Sequence, residues 1–339
     1  MEKFDITIKE IKKVPWEGLQ YSSLSLLFKG KHVTPVLVNT FRRILIDDIP
    51  TYACPPEKIE IKKENNTSKF NNDYMKLRLS QLPIMKIKSS LCYLDPKYWK
   101  NVNYSEDYER HPDEKQIEIY INSKNTTDTI YRVTTSDLQF REDGKKIIDK
   151  YNTDFPIVLI DLCPGEIFKC HMVATLGIGK KNIIWSSVSK AYYEINEQAK
   201  ECTLIINSNG QYDEYDLMWK ACRYIQFKLE EIQNILEEKQ KSIDDKETIK
   251  KVDLVLDDET FTIGGILTDI LQNRQDIIYA GITAPSYLTK CIEIKIEYVK
   301  ETDKPYIPIF ESIAYISGMM KYIEKIIYDM GKKYIEDKK

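Results

Sequence analysis

The sequence predicts an α+β chain in which two units, each a sheet with helices, pack against one another, with a β-rich domain inserted into the first. Three observations predict it. Both ends of the chain follow one plan of strand, short helix, strands and long helix. Each long helix carries an apolar stripe that a lone sheet would leave open, and two such units packed helix to helix would cover both stripes. Between about Tyr52 and Phe155 the composition shifts to Asn, Lys, Asp and Thr with short apolar runs, as expected of short strands and long loops.

The elements follow in order. Ile6, Ile8 and Ile11, then Tyr21, Leu24, Leu26 and Phe28, fall on roughly alternating positions on either side of Pro15 and predict extended structure. Thr34-Pro35 opens a helix, with Pro in the first turn, where its missing N–H costs nothing. Leu37, Val38, Phe41, Ile44 and Leu45 continue it at helical spacing, and Pro50 stops it, because a residue before Pro resists the helical region. Ile117-Glu118-Ile119-Tyr120-Ile121 is the clearest strand of the insert. Strand character returns from Pro156 to Ala174, with a turn at Pro164-Gly165.

A long helix runs from about Asp213, with Leu217, Ala221, Ile225, Leu229, Ile232 and Leu236 at three- and four-residue steps. Residues 237–251 are almost wholly polar and read as a linker or a solvated extension of that helix. Val252, Leu254 and Leu256 then alternate as a strand, Thr262 to Leu271 form a short apolar helix, and Ile292, Ile294, Ile296 and Tyr298 alternate again. Ile309, Ile313, Ile316, Met320, Ile323 and Ile327 make the second long helical stripe. Both long stripes are core, closed within the chain or by a partner helix.

Composition narrows the classes of function. Hydrophobic residues are 42% and charged residues 30%, the balance of a soluble globular chain of two or three domains. No run approaches the ~20 apolar residues of a membrane span, and the charged, alternating N-terminus is not a signal peptide. The formal net charge is −3, so the basic excess of a chain that grips nucleic acid by itself is missing. The seven cysteines include no C-x-x-C pair, which predicts reduced, mostly buried thiols and neither a disulfide framework nor a zinc ribbon. Asn66-Thr67-Ser68 and Asn125-Thr126-Thr127 read as polar loop residues.

Candidate chemistry is sparse. Gly177-Ile178-Gly179-Lys180 invites a phosphate-loop reading, but Ala174 stands where the first Gly is needed and Lys181 follows the Lys. A tight loop at a protein interface fits better, with Trp185 nearby as a buried anchor. Cys170 and His171 are strand neighbours and point to opposite faces, which disfavours a shared metal or a Cys–His nucleophile. The sequence holds no acidic triplet of the kind that binds catalytic Mg²⁺ in polymerases. Arg42 and Arg43 are either a solvated helix pair or a contact to a partner, where guanidinium forks suit carbonyls and carboxylates. A helical adaptor built on the 213–250 helix and a nucleotide-binding enzyme are the competing classes.

Val38-Asn39-Thr40-Phe41-Arg42-Arg43-Ile44-Leu45-Ile46, followed by Ile49-Pro50-Thr51, resembles the first helix of the alpha-like subunits of RNA polymerase. These are the bacterial alpha subunit, the archaeal D subunit and the third-largest subunit of RNA polymerase II. Four more stretches agree, in the family's order. Leu79-Ser80-Gln81-Leu82-Pro83-Ile84 resembles its R-L-x-x-I-P-L, and Val133-Thr134-Thr135-Ser136-Asp137-Leu138 its V-T-S-x-D-L. Leu162-Cys163-Pro164-Gly165-Glu166 resembles L-x-P-G-Q, and Leu176-Gly177-Ile178-Gly179-Lys180 with Trp185-Ser186-Ser187-Val188 resembles L-G-x-G-K…W-S-P-V. The tail is similar to a different chain, the eleventh subunit of RNA polymerase II and the archaeal L subunit. Asp258-Glu259-Thr260-Phe261-Thr262-Ile263-Gly264 resembles E-D-H-T-L-G-N, and Tyr279-Ala280-Gly281 resembles F-A-G-Y. The departures are Gly265 for Asn, Ala284-Pro285-Ser286 for P-H-P, and Ser187 for Pro.

The resemblance implies a fusion of two subunits that form a heterodimer in the family, and hence an intramolecular pseudo-heterodimer. Residues 1–50 and 165–236 would be the D-like unit, 51–164 the inserted domain, 237–251 the linker and 252–339 the L-like unit. It implies a non-catalytic assembly platform for the largest and second-largest polymerase subunits, with a small tenth-subunit-like partner. It implies contact with DNA only through the complex, no membrane partner and no homo-oligomer. Partner contacts would come from Asn39, Phe41, Arg42, Arg43, Gly177, Gly179, Lys180, Trp185 and Ser186. The two halves would meet through Leu217, Ile225, Leu229, Ile263, Leu267, Ile313, Ile316 and Met320. Metal-binding relatives carry clustered cysteines in the insert; Cys54 and Cys92 form no such cluster, so no metal or other cofactor is expected. The bacterial subunit's separate DNA-binding domain is also not expected. Fusion and composition together point to a large cytoplasmic DNA virus, which would put the protein in viral factories of the host cytoplasm or in virions.

Overall fold

The computed structural model describes residues 4–15, 22–87, 89–147, 155–241, 249–285 and 291–337. Tyr21, Ser286 and the middle of the 237–251 stretch lie outside the described residues.

The chain opens with β1 (Thr7–Val14), β2 (Ser23–Lys29) and α1 (Pro35–Asp47). Thr34 caps α1 by accepting the Leu37 N–H at 3.2 Å, with Pro35 in the first turn. The central stretch holds β3 (Thr51–Ala53), β4 (Ile59–Glu60), α2 (Asn72–Ser80), β5 (Ile117–Lys124), β6 (Tyr131–Thr134), β7 (Gln139–Glu142), β8 (Lys145–Ile147), β9 (Val158–Leu162) and β10 (Ile167–Gly177). Then come β11 (Val188–Asn196), β12 (Glu201–Ser208) and α3 (Glu214–Lys241). The tail supplies β13 (Ile249–Asp257), α4 (Phe261–Gln272), β14 (Ile277–Thr283), β15 (Cys291–Thr302) and α5 (Ile307–Asp337).

The two ends repeat one topology. Among the described residues, the first sheet runs β1-β2-β12-β11 and the tail sheet β13-β15-β14, antiparallel throughout. In each, the last strand before the long helix sits between the strand before the short helix and the strand after it. Alternation explains the faces: Leu24, Leu26 and Phe28 of β2 and Ile292, Ile294 and Ile296 of β15 point inward and are buried.

One core joins both ends. It contains Phe28, Phe41 and Leu204 from the first, Leu254, Leu267 and Ile294 from the tail, and the stripes of α3 and α5. Helices α3 and α5 lie side by side, with the Glu324 carboxylate accepting from Trp219 Nε1 and Gln226 Nε2, each at 3.0 Å. Helices α1 and α4 also pack together. Thr34 Oγ1 donates to Asp269 at 3.0 Å near one end, and Val36 meets Gly265.

The central stretch forms a second core around a sheet ordered β3-β10-β5-β7-β8, with β4 also paired to β10. Three details differ from the sequence reading. Helix α2 stands in the predicted β-rich insert. It carries no apolar stripe to announce it, and Asn71 caps it by accepting the Tyr74 N–H at 2.8 Å. Strand β10 was assigned by residue number to the first unit from 165 on, yet it pairs with β5 and buries Phe168, Cys170 and Met172 in the second core. Its alternation matches that of Ile117, Ile119 and Ile121, and the sheet of β1 and β2 resumes only at Val188, with β11 and β12. Finally, Asn125, read as a polar loop residue, does stand in a loop but not at the surface. It is buried and donates to the Thr129 and Leu162 carbonyls at 2.7 and 2.9 Å.

Candidate protein-docking surface

A helix C-terminus leaves its last carbonyls without intrahelical donors. The motifs that carry the resemblance answer this need for α1. The Asp48 N–H returns to the Ile44 carbonyl at 2.9 Å. Ser187 Oγ donates to Leu45 O at 2.6 Å, Ser186 Oγ to Ile46 O at 3.2 Å and the Lys180 N–H to Asp47 O at 2.8 Å. The loop of Gly177 to Ser187 is therefore a cap built from distant sequence. Lys180 adds positive charge where the helix dipole is negative.

Gly179 sits against α1 with no room for a side chain: an added Cβ would stand 2.0 Å from the Ile46 carbonyl oxygen. Gly177 lies on the Trp185 ring. Trp185 is buried, donates Nε1–H to Thr175 O at 3.0 Å and tilts against Tyr104 at 5.2 Å between centroids. Phe41 is likewise inside, stacked on Phe28 at 6.1 Å. Phe41, Gly177, Trp185 and Ser186 thus shape the site from within and are covered by their own chain, contrary to the expectation that they touch a partner.

Asn39, Arg42 and Arg43 are half-buried on the outer side of α1, and Lys180 is exposed beside them. Arg42 Nε donates to Asn39 Oδ1 at 2.9 Å, which holds one guanidinium in a fixed direction. Arg43, Lys180 and Arg42 all stand near Asp47; burial nonetheless keeps its carboxyl above the usual range. Ile183, two thirds exposed, and Phe261, nearly half exposed, add apolar surface on the capping loop and on α4. The arrangement suits protein recognition: a guanidinium oriented by Asn39, two further cationic side chains near Asp47, and exposed apolar side chains on the capping loop and on α4. Among the described residues, no group of three His, Cys, Asp or Glu is placed to hold a metal ion, and no helix is long and apolar enough to cross a membrane.

Behind this surface, charges that the sequence did not announce join the two ends of the chain. Lys228 on α3 pairs with Glu259, just before α4, and with Glu231 at 2.6 Å. Lys100 pairs with Asp258. Tyr93 stacks on Phe227 at 4.2 Å. Burial opposes the charge on Lys228, but its carboxylate partners outweigh that and hold the ammonium above its ordinary pKa. The one signal available was Asp258-Glu259 inside the tail motif; Lys228 is one of four lysines of α3, and nothing in its spacing sets it apart.

Asp48 is half-buried at the C-cap of α1 and faces Tyr224. Burial is the main cause that raises its pKa to about 6, with Asp47 and Glu259 adding to it and Lys180 opposing it. A raised folded-state value means that the proton is held more tightly in the folded chain. The associated stability is full below the unfolded carboxylate pKa and is lost as pH rises through about 6. Asp48→Asn should therefore match the parent at about pH 4 and exceed it by about 2–3 kcal/mol above about pH 6. Urea unfolding across that range checks this.

The predicted meeting residues Leu217, Ile225, Leu229, Ile263, Leu267, Ile313, Ile316 and Met320 are all buried in the shared core.

No protein-family model matches the chain. A curated DNA-directed RNA polymerase subunit of Acanthamoeba polyphaga mimivirus is 24% identical, with 94% of each chain covered. The DNA-directed RNA polymerase II subunit rpb3 of Dictyostelium discoideum is 22% identical over 60% of this chain and 63% of its own length. The DNA-directed RNA polymerase subunit Rpo3 of Pyrobaculum aerophilum is 28% identical over 48% of this chain and 55% of its own. The cellular relatives thus match about half of this chain, whereas the viral one matches it nearly end to end. The likeness read from the motifs therefore holds: the chain is similar to the alpha-like subunits of DNA-directed RNA polymerase, and along nearly its whole length to a viral one.

Proposed function

We propose that the chain is the non-catalytic assembly platform of a multisubunit DNA-directed RNA polymerase that transcribes viral genes. Two subunits that are separate elsewhere are fused in it. The repeated topology carries this reading: the same strand order at both ends, with short helix against short helix and long helix against long helix in one core. Like elements meeting like is the signature of a two-fold interface. Fusion makes that pairing intramolecular, at an effective concentration on the order of millimolar for a short flexible linker.

In this reading the central stretch, about 51–164 with β10 added, is the inserted domain, and 237–251 is the linker. Asn39, Arg42, Arg43 and Lys180 face the largest or second-largest catalytic subunit. A small tenth-subunit-like protein completes the platform, DNA is reached only through the complex, and the work is done in viral factories of the host cytoplasm or in virions. The chain supplies no catalytic group, metal or cofactor of its own.

Tagged chain expressed in infected cells should co-purify with two very large polypeptides in equal amounts. Arg42→Glu/Arg43→Glu should reduce their recovery at least about tenfold, as expected when interface guanidinium contacts are reversed. Recovery of the chain alone or as a homodimer would overturn the proposal.

A further inference from the structure

At the end of α1 away from the docking surface, a groove of about 1360 Å³ runs along α5. Its other wall is Phe4, the turn before α1 and the last turns of α4. Tyr315, Gly318 and Tyr322 are three and four residues apart and so lie on one face of α5. From Glu311 to Lys325 the groove follows α5 for about 21 Å, or about four helical turns. Phe4 lies over Gly318, whose missing side chain makes the space: a Cβ there would touch the ring at 3.4 Å.

The charges sort unevenly. Glu311 is held by Arg274 at 2.8 Å, and Asp269 accepts from Thr34. Lys31, Lys321 and Lys325 are exposed and carry no ion pair among the described residues. In a chain of net charge −3, this cationic rim is a local feature. The rings lean mostly on one another, and only Phe4 and Tyr322, tilted at 40°, depart from edge-on contact. Phe4 meets Tyr315 at 62° and His32 at 82°, and His32 meets Tyr315 at 71°, all edge-on. The one arginine in the groove is occupied. Single-stranded nucleic acid favours open aromatic platforms. An amphipathic helix favours an apolar trough with charges along its rim.

We propose that this groove binds an acidic amphipathic segment of another protein chain, with its apolar side on Phe4, Tyr315 and Gly318 and its carboxylates on Lys31, Lys321 and Lys325. The proposal does not depend on the polymerase assignment, and its test uses the purified full-length chain. The probe is a fluorescein-labelled helical peptide of about four turns, leucines on one face and glutamates on the other. Its anisotropy should rise on titration with the chain, and binding should weaken at least about tenfold between about 50 and 500 mM salt. Lys321→Glu/Lys325→Glu should weaken it at least about tenfold, while Lys190→Glu, on exposed β11, should not. Unchanged binding by the double variant, equal binding of the peptide with lysine in place of glutamate, or no binding at about 1 mM would overturn the proposal. Tighter binding of an oligothymidylate of similar length would overturn it in favour of nucleic acid.

Discussion

Gly179→Val is expected to be among the most damaging single changes in the chain, with a loss of about 3 kcal/mol or more in unfolding experiments. The reason is where the clash falls. A Cβ at this position meets the Ile46 carbonyl oxygen at 2.0 Å and its carbon at 3.1 Å. That is backbone, and it cannot swing away as a side chain would. The carbonyls of Leu45, Ile46 and Asp47 are each engaged by donors from the Lys180–Ser187 stretch. Making room means pulling the loop off the helix and leaving those acceptors unpaired in a buried place, at about 1–3 kcal/mol for each. Gly265→Ala is the contrast. It lies inside α4, and its nearest neighbour stands at 4.0 Å. It should be neutral or stabilising by about 0.5–1 kcal/mol, since Ala is the better helix former. A comparable loss at both positions would show that the loop is not packed on α1 as described.

Lys228→Met is expected to cost about 3–5 kcal/mol, the usual penalty for removing one partner of a buried ion pair. The side chains of Lys228 and Glu259 are 12% and 9% exposed, and the pair links α3 to the segment before α4. Without Lys228, the Glu259 carboxylate must stay ionised among apolar neighbours, take up a proton or pull the two ends of the core apart. Replacing both residues, Lys228→Met with Glu259→Met, should recover most of the loss. Two well-packed apolar residues commonly do as well as a buried pair. Thermal unfolding of the two single variants and the double variant forms the cycle that tests this. If the double variant loses as much as the sum of the singles, the two residues are not coupled.

Much of the architecture could be read from residue order. Thr34-Pro35 and Pro50 bracketed α1, and period-two and period-3.6 patterns located β2, β13, β15, α3, α4 and α5. Helix α2 was missed because its nine residues bury only two apolar side chains, Met75 and Leu79, too few to make a periodic stripe, and its cap is a single Asn. Strand β10 was grouped with the wrong neighbours because alternation says that a strand has a buried face and not which sheet it joins. At the candidate site, Arg42, Arg43 and Lys180 were legible as charged residues within motifs. Phe41 already fell on the apolar stripe of α1 and Trp185 read as a buried anchor, but the inward position of Ser186 was not legible, because a motif records which residues occur together and not whether they face solvent.

The amino-acid sequence by itself determined the periodicities, the stops and caps, the repeated plan at the two ends and the motifs that tie the chain to alpha-like polymerase subunits. These are local properties, decided by backbone sterics and by the burial of one face of each element. Only the tertiary structure decided which side chains meet across long separations: Gly179 with Ile46, Lys228 with Glu259, Glu324 with Trp219 and Gln226. Such contacts depend on how whole elements pack, and a buried charge or an absent Cβ acquires its energy only from the neighbour that the fold sets against it.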